Sequence, residues 1–264
     1  MIHEKLTYAI NGCLFAVYNA LGNVWPEDVY ERALLLEFRR KGLQVERQQS
    51  FEVFYFDTSL GTYRLDLLVK NTVIVELKAA PQLTPLHRAQ LLSYLKGCDK
   101  PLGILANFGG SRTEHETMPK NDTLSDALTD RFDYESLALP QKEAIKDLLL
   151  IANRVLVTLG PGYLAQIYRR ALYHELKTAG CKFETVKEVS AHYRQQPVGT
   201  REVNFFVIGD LLLSAVTVKE LHDLMLLRFR NYLKHLHCRR GLIINFHATV
   251  LDFRYIELKE NYED

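Results

Sequence analysis

A chain of 264 residues, 47% hydrophobic and 25% charged, has the balance of a globular protein with room for two domains of ordinary size, which excludes global disorder. The net charge of +1 announces no polyanionic partner by itself, yet charge is segregated: roughly +2 up to residue 112, roughly −5 over 113–140 and roughly +4 beyond. Cys13, Cys98, Cys181 and Cys238 show no CxxC spacing, which excludes a disulfide scaffold and fits a reducing cytoplasm; neither a signal peptide at the start nor a membrane span around residues 148–151 is expected.

Ile10, Leu14, Val17 and Leu21 recur at helical spacing, and Val29, Ala33, Leu34 and Phe38 do so again after Pro26-Glu27-Asp28, so two helices open the chain. Phe51, Val53 and Tyr55 alternate with polar neighbours as a strand does, residues 57–61 are turn-like, and two apolar strands follow over 64–69 and 73–78. Residues 86–97 read as a helix and 102–106 as a short buried strand. The predicted unit is ααβββαβ, an α/β mixed sheet flanked by helices. From Gly109 to about residue 140 the chain is acidic, with Asp122, Asp126, Asp130, Asp133 and Glu135, and reads as a linker with a helical turn near 124–132.

Sliding the chain against itself by 138 positions superposes Leu21-Gly22 on Leu159-Gly160, Tyr30 on Tyr168, Ala33-Leu34 on Ala171-Leu172, Tyr94-Leu95-Lys96 on Tyr232-Leu233-Lys234, and Asn107-Phe108 on Asn245-Phe246. About 22 of roughly 92 positions are identical without a gap, so two copies of one unit are present. The domains are expected at 1–112 and 141–264, with 113–140 as the acidic linker. In the second copy, residues 250–258 suggest one further strand that the first copy lacks.

The first copy carries chemistry that the second does not. A hairpin centred on Asn71 sets Asp66 opposite Glu76, with Lys78 on the same face as Glu76. Facing carboxylates repel unless a cation separates them, which points to Mg²⁺ or Mn²⁺ held by Asp66, Glu76 and the Leu77 carbonyl. Lys78 would orient or deprotonate water, or stabilise developing charge. The offset turns Asp66 into Asn204, Glu76 into Ser214 and Lys78 into Val216, a loss that a merely structural buried ion pair does not explain. Gln90 and Tyr94 share a helix face with His87. Gln90 and His87 are lost as Arg228 and Met225, whereas Tyr94 persists as Tyr232 and reads as structural. Glu27 suits a helix start but becomes Ala165, which favours a role as an additional carboxylate. Arg64, Lys70, Arg88, Lys96 and Lys100 surround these elements, either meeting a phosphate backbone or carrying solvated charge.

Asp66 followed by Glu76-Leu77-Lys78 resembles the PD-(D/E)xK nuclease superfamily, and Gln90 to Tyr94 is similar to the QxxxY motif of its RecB-like branch. More narrowly, Leu21-Gly22-Asn23-Val24-Trp25-Pro26-Glu27-Asp28-Val29-Tyr30, with Leu83-Thr84-Pro85-Leu86-His87-Arg88-Ala89-Gln90 and Asn107-Phe108-Gly109, is similar to the bacterial GxxExxY family. One departure stands out: the family glycine falls at Val24, while the second copy keeps it as Gly162 without the glutamate. The resemblance implies two tandem restriction-endonuclease-like units with an αβββαβ core, the first a Mg²⁺- or Mn²⁺-dependent nuclease. It implies catalytic roles for Asp66, Glu76, Lys78, Glu27 and Gln90, and nucleic-acid contacts at Arg64, His87, Arg88, Tyr94 and Lys96. DNA stands ahead of RNA as substrate. The second copy would be structural or substrate-binding, through Arg228, Arg230, Lys234, Arg239 and Arg240, in an intramolecular pseudo-dimer, with further homo-oligomerisation left open. The alternatives are a nucleic-acid-binding protein without cleavage and a protein-interaction module on the same fold.

Overall fold

The computed structural model describes residues 3–120 and 142–258. The turn expected near 124–132 and most of the acidic stretch lie outside the described residues. The chain divides into two compact units, one holding 3–120 together with Leu159–Gly162, the other the remainder.

The first unit opens with α1 (Glu4–Leu21) and α2 (Glu27–Arg40). Glu27 and Asp28 in the first turn of α2 and Arg39 and Arg40 in its last complement the helix dipole at both ends. Then come β1 (Val45–Arg47), β2 (Ser50–Tyr55), β3 (Thr58–Arg64), β4 (Leu67–Val69), β5 (Val73–Lys78), α3 (Pro85–Gly97), β6 (Leu102–Asn107) and β7 (Glu114–Pro119). The main sheet runs β1-β4-β5-β6-β7, with β5 and β6 parallel and the other pairs antiparallel; β2 and β3 form a separate ribbon. Residues 73–78 and 102–107 are almost wholly buried, as strands covered on both faces must be. Leu34 and Phe38 of α2 and Leu14 of α1 pack against Val73, Val75, Leu77 and Ile104. Each of these fully buried side chains contributes about 1.5–3 kcal/mol. By the two-residue alternation, Ile74, Glu76 and Lys78 face the other way, towards α3.

Two expectations need correction. The strand foreseen over 64–69 is broken: β3 ends at Arg64, Leu65 and Asp66 form a bend, and β4 starts at Leu67 in a different sheet. The first copy also has the extra strand it was thought to lack, because β7 lies inside the stretch read as linker. Its sequence, Glu114-His115-Glu116-Thr117-Met118-Pro119, is polar because β7 is a half-covered edge strand, and edge strands do not need the apolar alternation that periodicity detects.

The second unit comprises α4 (Lys142–Leu159), α5 (Ala165–Thr178), β8 (Glu184–Tyr193), β9 (Gln196–Ile208), β10 (Leu211–Val216), α6 (Asp223–His235), β11 (Arg240–Asn245) and β12 (Asp252–Glu257). Its sheet runs β12-β11-β10-β9-β8, again with one parallel pair, β10 and β11. Each unit is thus a mixed sheet flanked by helices, as the sequence predicted. Equivalent residues perform equivalent work. Gly103 and Gly241 lie under α3 and α6, where a Cβ would come within 2.7 Å of Leu91 and 2.6 Å of Phe229, and Leu91 and Phe229 are themselves related by the 138-residue offset. Tyr30 stacks on Phe108 at 4.5 Å and Tyr168 on Phe246 at 4.7 Å.

Candidate active site

The bend at Leu65-Asp66 positions the first carboxylate. With the backbone out of the ladder, Asp66 Oδ2 accepts a hydrogen bond from the Leu77 N–H at 2.8 Å, while the Asp66 carbonyl accepts from Gln48 N. The β4–β5 register, Val69 on Val73 and Leu67 on Val75, is centred on Asn71 as expected and brings Asp66 to the level of Glu76. A strand residue points its N–H and C=O to the same side, so the Leu77 carbonyl also faces the edge where β4 has ended, beside Asp66.

Glu76 is 3% exposed. Its Oε1 accepts from Lys78 Nζ at 2.9 Å, and its Oε2 is buried without a hydrogen-bond partner among the described residues. Burial first, and the charge of Asp66 second, push the Glu76 carboxyl up to about 8 in spite of Lys78. Asp66 is raised as well, by burial, against the Leu77 amide and Lys78 that pull it down. Burial alone would lower Lys78, but the charge of Glu76 and the hydrogen bond to it outweigh that and hold the ammonium above its ordinary value.

The other predicted residues divide into two groups. Glu27 Oε1 accepts from Ala79 N at 3.2 Å, next to Lys78, so α2 delivers this exposed carboxylate to the rim of the site. Gln90 Nε2 donates to Tyr94 Oη at 2.6 Å, and Tyr94 packs with Phe51 and Tyr63. Burial, then the nearby Glu76 charge, raises the Tyr94 phenol. His87, by contrast, closes a capping box: its N–H donates to Thr84 Oγ1, and its Nδ1 accepts from Thr84 N. Arg88 is engaged by Glu116 of β7 through two 2.6 Å contacts. Arg64 reaches Gln48 at 3.5 Å, and Lys96 is exposed on α3. The structure therefore gathers Asp66, Glu76, Lys78 and Glu27, with Gln90 and Tyr94 nearby, and gives His87 and Arg88 partners within the fold.

Sequence reasoning missed Glu31 and Tyr63. Glu31, 4% exposed, lies one turn beyond Glu27, pairs with Arg47 and bonds Gln48, and its charge acts on Asp66. The signal was present, since the offset turns Glu31 into Arg169 and Tyr63 into Arg201. Tyr30 has a structural part: its Oη donates to the Gly22 carbonyl and accepts from Trp25 N, which pins the loop before Glu27. Val24 does not adopt a left-handed φ, whereas Gly162 has φ 108°, so the missing glycine leaves this loop unstrained.

Two repeated α/β units, one of which holds an Asp–Glu–Lys set at the open end of its central strand, define a nuclease-like fold. The profile of the PD-(D/E)XK nuclease superfamily matches residues 4–118 and again 142–256, two matches separated by the same 138 positions. The chain belongs to that superfamily and is a tandem duplication within it. A solved structure titled "Crystal structure of SSO0001" is similar at 18% identity, with a TM-score of 0.29, over 44% of this chain and 68% of that one. No curated protein matches. Members of the superfamily are generally divalent-metal dependent. Among the described residues no helix is long and apolar enough to cross a membrane.

Proposed function

We propose that the first unit hydrolyses phosphodiester bonds of nucleic acid with Mg²⁺ or Mn²⁺, as a nuclease of the GxxExxY type, and that the second unit has no cleaving site. The observation that carries this reading is Glu76, a carboxylate buried in an apolar sheet beside a second carboxylate, with one oxygen left without a partner. Such an arrangement is costly in a merely structural position and suits a hard cation, which takes oxygen ligands and retains sites for substrate phosphate. Asp66, Glu76 and the Leu77 carbonyl would hold the ion. When bound, it would neutralise charge building on the phosphoryl oxygens and acidify a bound water.

The chain's own residues do the rest. The Leu77 amide fixes Asp66 and leaves its Oδ1 for the ion. Lys78 spends one N–H on Glu76 and keeps the others for a phosphoryl oxygen or a water. Glu27 and Gln90 border the same space and position water and phosphate. In the second unit the corresponding side chains are Asn204, Ser214, Val216, Ala165 and Arg228, which offer no pair of carboxylates.

The test is cleavage of single- and double-stranded DNA and RNA by the full chain with Mn²⁺, compared with Asp66→Ala and Lys78→Ala. Cleavage by the parent that disappears in both variants supports the reading. A parent that cuts nothing, or variants that cut equally well, refutes it. The rival is a nucleic-acid-binding role without cleavage on the same fold. Oligonucleotide binding indifferent to Mn²⁺ would decide for that role.

A further inference from the structure

The 138-residue offset places Val189, Arg201, Arg228 and Tyr232 on the positions of Phe51, Tyr63, Gln90 and Tyr94. In the first unit this space is filled by rings: Phe51, Tyr63 and Tyr94 meet with centroids 6.2, 5.8 and 5.3 Å apart. In the second unit two of the three rings are gone, Phe becoming Val and Tyr becoming Arg. What remains is a cleft of about 420 Å³ between the β8–β9 hairpin and α6, lined by Val189, Arg201, Arg228, Tyr232 and His235 among others.

The cleft is cationic by construction. Arg201 is paired in register with Val189, on the ribbon face that turns to α6, while Glu188 and Glu202 fall on the opposite face by alternation. Arg228 stands one turn before Tyr232 on α6. Among the described residues neither guanidinium has a carboxylate or other side-chain partner. His235 Nε2 lies 2.8 Å from the Ser190 carbonyl, and since a carbonyl only accepts, the ring donates and ties the helix to the hairpin. Tyr232 is held edge-on against Phe205 at 5.1 Å, leaving an aromatic and aliphatic wall beside two unpaired forks of donors.

We infer that this cleft binds one nucleotide of a single-stranded nucleic acid. Arg201 and Arg228 grip its phosphate, and Val189 and Tyr232 pack against its base. Arginine forks match phosphate oxygens, and aromatic walls accept any base, which gives binding without sequence preference. A pocket in the small-ligand range, roughly 300–1,000 Å³, takes a nucleotide but not a duplex. The copy that lost its carboxylates thus holds strand while the other copy cuts, so the inference rests on the nucleic-acid reading above but on different residues.

The experiment measures anisotropy of a short labelled single-stranded oligonucleotide on the full chain carrying Asp66→Ala, in EDTA, with and without Arg201→Ala plus Arg228→Ala. Both arginines are exposed, so the variant folds; Lys177→Ala, exposed on α5 and outside the cleft, is the control. The double variant is expected to weaken binding by about tenfold or more and to flatten the slope of log K against log salt by about 1.4, whereas the control shifts affinity by less than about twofold. Equal binding by parent and double variant, an equal loss in the control, or no binding by the parent at low salt overturns the inference. Mn²⁺-dependent cleavage by the chain with Asp66 intact is scored separately. Cleavage with an indifferent double variant removes the cleft and keeps the nuclease; binding lost in the double variant without any cleavage does the reverse.

Discussion

Replacing Glu76 by Gln should make the metal-free protein more stable and abolish its stabilisation by metal. The side chain keeps its shape and its acceptor for Lys78 Nζ, but the charge that repels Asp66 and sits beside an orphaned oxygen is gone. The Glu76 carboxyl is raised from 4.5 to about 8, so its contribution is fully present below the unfolded value of 4.5 and fades as pH rises towards the folded one. At neutral pH that loss amounts to about 3 kcal/mol, which the glutamine does not incur. Lys78 stays compensated because Asp66 and Glu27 also act on it. The assay is urea unfolding in EDTA across pH: the variant's midpoint should exceed the parent's near neutrality, and the gap should close towards acid. Excess Mn²⁺ should stabilise the parent, by about 2.7 kcal/mol at a hundredfold excess over Kd, and leave the variant unmoved. A glutamine variant less stable than the parent in EDTA at neutral pH, or one gaining equally from Mn²⁺, would refute the reasoning.

Gly103→Ala places a methyl 2.7 Å from Leu91 and should cost about 1–3 kcal/mol in urea unfolding, with Gly241→Ala behaving alike against Phe229; neutrality at both would mean the helices are not seated as described. Asn107→Ala removes the side chain that bonds Ala80 N, Ala80 O and Gly109 N, and should cost about 1–3 kcal/mol while slowing any cleavage, because the loop after Lys78 loosens. Arg88→Ala should leave the salt slope of oligonucleotide binding unchanged, since Glu116 already occupies the guanidinium; a slope reduced by about 0.7 would return Arg88 to the nucleic-acid interface. The hydrogen bond from Arg240, and then its charge, hold Asp210 below its ordinary 3.8, so this stabilisation is present above that value and lost as pH falls through the folded one. Asp210 is 44% exposed, so Asp210→Asn should cost less than about 1 kcal/mol, a difference that vanishes in acid unfolding curves.

Much of the fold was legible in the sequence because burial imposes period and apolarity on the chain. The helices at Ile10–Leu21 positions and at Val29–Phe38, the buried strands around Ile74 and Ile104, and the doubling at 138 positions all follow from residues that must face a core. The pairing of Asp66 with Glu76 was legible too, since a hairpin about Asn71 fixes its own register. Polar β7 was not, because an edge strand takes its hydrogen bonds from β6 without needing an apolar face. Nor was the capping of α3 by His87 or the engagement of Arg88 by Glu116, for these are choices among polar partners that periodicity does not encode.

The decisive difference between the copies is tertiary. In the first unit the chain bends at Leu65-Asp66, and Leu67 pairs with Val75. In the second, β9 runs unbroken from Gln196 to Ile208, and Phe205, the equivalent of Leu67, pairs with Ser214 rather than with Leu213. A two-residue Gly209-Asp210 turn, Gly209 at φ 61°, replaces the longer turn at Lys70–Thr72 and shifts the ladder by one residue. Sequence by itself determined which residue types each copy presents, because those are read directly at a constant offset. Only the folded chain decided which of them meet, because strand register depends on turn geometry and on where the ladder breaks, and a one-residue change there moves every facing side chain.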